Sequence, residues 1–60
     1  MTLKDRALGL AARLDQIDVE LQTIWKDPDA SMSASHEAGI ALYTLRSTSK
    51  HIRNLAERLR

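Results

Sequence analysis

LKDRALGLAARLDQIDVELQTI, residues 3–24, decides the fold, because its apolar residues keep a strict 4,3 spacing: Leu3, Ala7, Leu10, Leu14, Ile17, Leu21 and Ile24. That spacing lines one face of an α-helix. A second stretch, AGIALYTLRSTSKHIRNLAERL over residues 38–59, does the same with Ala38, Ala41, Leu45, Thr48, Ile52, Leu55 and Leu59. Laid antiparallel, Leu3 meets Leu59, Ala7 meets Leu55, Leu10 meets Ile52, Leu14 meets Thr48, Ile17 meets Leu45, Leu21 meets Ala41 and Ile24 meets Ala38. Every pair of residue numbers sums to 62, so one register serves the whole chain. The expected fold class is all-α: an antiparallel two-helix hairpin forming a single domain over residues 1–60, with these two rows as its core.

The ends of the two helices carry local signals. Thr2 with Asp5 three residues on has the form of an N-terminal cap, placing an acid at the positive end of the helix. Helix 1 is expected over about residues 3–26, since Pro28 disfavours helical geometry at Asp27 and has no amide to donate. DPDASMSAS, residues 27–35, has loop composition and is read as the turn, with Ser33 or Ser35 as the cap of helix 2. Asp27-Pro28 alternatively caps an immediate helical restart, so helix 2 begins within residues 28–36. Helix 2 is expected over about residues 34–59, ending in cations that suit the negative end of a helix.

A chain of 60 residues buries too little surface to be robust without reinforcement. Cysteine is absent, and His36 and His51 with scattered carboxylates form no ligand cluster, so neither disulfide nor metal is expected to supply it. Oligomerisation remains. No apolar run approaches a membrane span, and Lys4, Asp5 and Arg6 interrupt any signal-peptide core, so a soluble cytoplasmic protein is the expectation.

With the two rows set as heptad positions a and d, the flanking e edge holds Lys4, Ala11, Asp18 and Trp25 on helix 1, and Ser35, Leu42, Ser49 and Ala56 on helix 2. Leu8 and Gly39 at b positions widen it. Small and apolar residues dominate this edge, whereas the g edge is polar. The e edge is therefore expected to meet a second copy, joining two hairpins into a four-helix bundle. Charge is also polarised: residues 1–14 carry net +2, residues 46–60 net +4, and residues 15–45 net −5, within a total of +1. Two such hairpins attract head to tail, with Asp15 and Asp18 of one copy expected near Arg46 or Arg53 of the other.

No nucleophile with a base, paired carboxylates in a pocket or metal-ligand spacing is present, and no cofactor is expected. His36 and His51 lie about 20 Å apart along a helix rising about 1.5 Å per residue, so they share no site within one chain. The chain reads as non-enzymatic. Val19, Ile40 and Tyr43 are expected to form an outward apolar patch for a protein partner. A stripe of Arg46, Lys50, Arg53 and Arg60 is the alternative surface, able to neutralise phosphates of RNA or DNA. In topology the arrangement resembles small helical-hairpin dimers of the Rop type, a likeness that implies RNA binding through an outer helix face. The favoured expectation is a homodimeric regulator, accessory or inhibitor protein that binds and modulates another protein; a nucleic-acid-binding dimer is the alternative.

Overall fold

The computed structural model describes residues 1–59, and Arg60, one of the four stripe cations, lies outside the described residues. Two helices account for nearly all of them: α1 over Leu3–Lys26 and α2 over Met32–Arg58. They pack against each other as a hairpin. A full capping box opens α1, with the Asp5 amide donating to Thr2 Oγ1 at 3.1 Å and the Thr2 amide donating to Asp5 Oδ2 at 3.3 Å. Both bonds satisfy amides that the first turn leaves without a partner.

The turn is shorter than its composition implies. Asp27 is extended, as a residue before proline should be, and its carboxylate accepts from the Asp29 amide at 2.8 Å while its carbonyl accepts from the Ala30 amide at 3.1 Å. Five residues, 27–31, thus reverse the chain. Ser31, rather than Ser33 or Ser35, caps α2, accepting from the Ala34 amide through Oγ at 3.1 Å. Ser35, the other expected cap, instead donates to the Trp25 carbonyl at 3.3 Å, satisfying an acceptor at the end of α1. The turn tightens because the Asp27 side chain organises it and a serine stands at its end.

The seam differs from the expected one. Fully buried are Ala7, Ala11, Ala38, Leu42 and Ala56, with Leu14, Leu21, Leu45, Ile52 and Leu59 partly buried. These occupy positions a and e. The d positions stand outside: Leu3, Leu10, Ile17, Ile24 and Leu55 are exposed, as is Thr48, and only Ala41 of that row is partly covered. The reason lies in side-chain size. The distance between two helices is set by the side chains at their contact. Ala7, Ala11, Ala38 and Ala56 let these helices approach closely and gain dispersion contacts, whereas Leu10, Ile17 and Leu55 at d in the seam would hold them apart. The antiparallel orientation survives this rotation, and the contacts across the seam join residue 35 to 25, 46 to 18 and 53 to 15, pairs that sum to 60, 64 and 68 rather than to a constant 62.

Candidate interaction surfaces

Rotating the seam gives the hairpin two unlike broad faces. On the face where b positions lie, charged side chains bridge the helices. Asp18 accepts from Arg46 Nε at 2.9 Å and Nη2 at 3.3 Å, and from the Gln22 amide one turn away. Asp15 pairs with Arg53. These carboxylates and guanidinium groups, expected to meet between copies, pair within one chain, because the rotation brings the b positions of α2 over the e and b positions of α1. Hydrogen bonds from Arg46, then from Gln22, hold the Asp18 carboxyl below its ordinary range, against a smaller opposing effect of burial. Arg46 is raised in turn, chiefly by its bond to Asp18.

At the turn end of this face Trp25 lies across Gly39, its indole Nε1 3.5 Å from the place a Cβ on that glycine would occupy. Gly39 was expected to admit a second copy; its own chain's tryptophan fills the space. Trp25 stays half-exposed and lines an open groove with Gly39, Tyr43, Lys26, Arg46 and Lys50, which continues to Ile40 and His36. Ile40 and Tyr43 therefore share a surface, with Tyr43 80% exposed. Val19 is exposed on α1 but does not line the groove. Sequence periodicity missed Trp25 as the partner of Ile40 and Tyr43, because e was taken as a dimer edge.

The other broad face is apolar. Leu3, Leu10, Ile17 and Ile24 run along α1, and Ala41, Thr48 and Leu55 along α2. On a helix each d position is flanked by g. The g residues Arg6, Arg13, Glu20 and Asp27 on α1, and Glu37, Thr44, His51 and Arg58 on α2, are all exposed and form the rims. Each rim is basic toward the open end and acidic toward the turn. Of the residues expected at a dimer edge, Ala11, Leu42 and Ala56 are buried inside the hairpin and Asp18 and Ser49 partly so. Leu8 stays exposed on the charged face. An edge already occupied by the chain's own second helix is not free for another copy.

Of the four stripe cations, Arg46 and Arg53 are engaged by carboxylates, and Lys50 is exposed in the groove. Among the described residues no three His, Asp or Glu side chains gather as a metal site, and no helix is long and apolar enough to cross a membrane. The fold and surfaces define the class as an antiparallel helical hairpin with one charged-bridged face and one apolar face. No protein-family model, curated protein or solved structure matches the chain.

Proposed function

We propose that this chain is a non-enzymatic protein–protein interaction module that works as a homodimer, two hairpins forming a four-helix bundle, and regulates or inhibits a partner protein. The observation that carries the reading is the apolar d row of α1, Leu3, Leu10, Ile17 and Ile24, exposed along that helix together with Leu55 of α2. A row of leucine and isoleucine of this length on a small chain marks an association surface. The hairpin measures 45 × 16 × 10 Å, so the row runs along most of its longest dimension. The Trp25, Ile40 and Tyr43 groove lies on the opposite face and stays open when the apolar face is covered, which makes it the place for the regulated protein.

The test is the thermal midpoint by circular dichroism across about a hundredfold range of protein concentration, with mass by sedimentation at both ends. A midpoint that rises with concentration, with a dimer mass, is expected. A folded monomer at every concentration would overturn the homodimer. The nucleic-acid alternative draws less support, because Arg46 and Arg53 are committed to Asp18 and Asp15 and present less free positive charge than their number implies. It requires binding at low salt whose salt dependence flattens when both arginines are replaced by alanine.

A further inference from the structure

The apolar face is self-complementary about one line across the hairpin. On α1, reversing the d row about Ile17 places Leu10 on Ile24 and brings Arg13 to within one residue of Glu20 and Arg6 to within one residue of Asp27 on the rim. On α2, reversal about Thr48 places Ala41 on Leu55, a small residue against a large one, and brings Glu37 to within one residue of Arg58. The two centres were found independently from each helix. They nevertheless lie at nearly one height, since the Arg46–Asp18 pair sets residues 46 and 18 side by side across the seam.

We propose that a second copy of this chain covers the apolar face head to tail, about a two-fold axis that crosses the hairpin at Ile17 and Thr48. This rests on the homodimer reading above and fixes its face and orientation. A two-fold interface must present the same patch on both partners, each residue meeting the counterpart that meets it in return. The d rows satisfy this on both helices and the g rows do so to within one residue, with α1 lying antiparallel on α1 of the other copy and α2 on α2. The opposite orientation, open ends together, lays α1 over α2 and stacks the basic rims around Arg6, Arg13 and Arg58 on one another. Juxtaposed like charges disfavour that arrangement. Both Trp25 grooves then face outward, at opposite ends of the bundle.

The chain has no cysteine, so single substitutions report position cleanly. Thr48→Cys on the exposed face should give a disulfide-linked dimer under mild oxidation, and mixing Leu10→Cys with Ile24→Cys chains should give the mixed cross-link. Circular dichroism of each variant shows that the hairpin is retained, and sedimentation under reducing conditions gives its mass. A dimer mass with Leu10→Cys linking to Leu55→Cys, and not to Ile24→Cys, would overturn the head-to-tail axis while leaving the homodimer standing. A dimer with no cross-link at any of these positions would remove the apolar face as the interface. A monomer mass for the unsubstituted chain would remove the homodimer reading itself.

Discussion

Ala11 and Ala56, 1% and 2% exposed, are the side chains on which the hairpin closes. Enlarging either drives the helices apart. Ala11→Leu is expected to cost about 1–3 kcal/mol, the usual range for overpacking a filled site, measured by urea unfolding at one protein concentration. A neutral or stabilised variant would return the seam to the d row, where Ala11 would be an edge residue with room to grow. Asp18 offers a second check at this scale, through pH. Its folded-state carboxyl is held low by Arg46 and Gln22, so the stabilisation is present above the ordinary unfolded value of about 3.9. It is lost as pH falls through the lowered folded value. Asp18→Asn should therefore melt below the parent near neutral pH, with the difference in midpoint shrinking as pH falls below about 4; a gap independent of pH would separate the carboxylate's charge from its role.

At the scale of the elements, caps and turn chemistry explain where the helices start and stop better than apolar periodicity does. Thr2 with Asp5 was legible because the capping box has a sequence form, and Asp27-Pro28 because proline limits its predecessor. The start of α2 was less so. Ser31, Ser33 and Ser35 all have capping chemistry, and the choice among them rests on how few residues can reverse the chain once Asp27 bonds the Asp29 and Ala30 amides. Ser31→Ala should cost about 1 kcal/mol, in the range of about 0.5–2 for a lost N-cap, while Ser33→Ala costs little. Equal losses at the two positions, by thermal unfolding, would argue against the cap seen here.

The whole molecule is long and thin, with a radius of gyration of 14.0 Å, where a compact chain of this length would have about 10 Å. Only five side chains are fully buried among the described residues, four of them alanine. Two helices so arranged hide little apolar surface for the conformational entropy they lose on folding, a deficit that the proposed second copy would offset. Ile17→Glu tests this at the centre of the apolar face. Ile17 is exposed in the hairpin, so the substitution should leave helicity within a dimer-free hairpin while sedimentation shifts to the monomer and the midpoint loses its concentration dependence. A dimer that persists through this change would place the interface elsewhere.

What the sequence by itself determined is the antiparallel pairing of two long helices, the cap of α1 and its end before Pro28, because apolar spacing, proline and short polar side chains act locally. Leu14, Leu21, Leu45 and Ile52 were legible as inward residues since position a faces the partner helix in either choice of seam. Whether d or e completes that seam was decided only in the tertiary structure. Both rows have apolar members at helical spacing, and periodicity cannot separate two stripes about 100° apart in phase. The choice depends on how closely two backbones approach, which the alanines of the e row permit and the larger d residues do not, and on Asp15 and Asp18 reaching Arg53 and Arg46 across the same side.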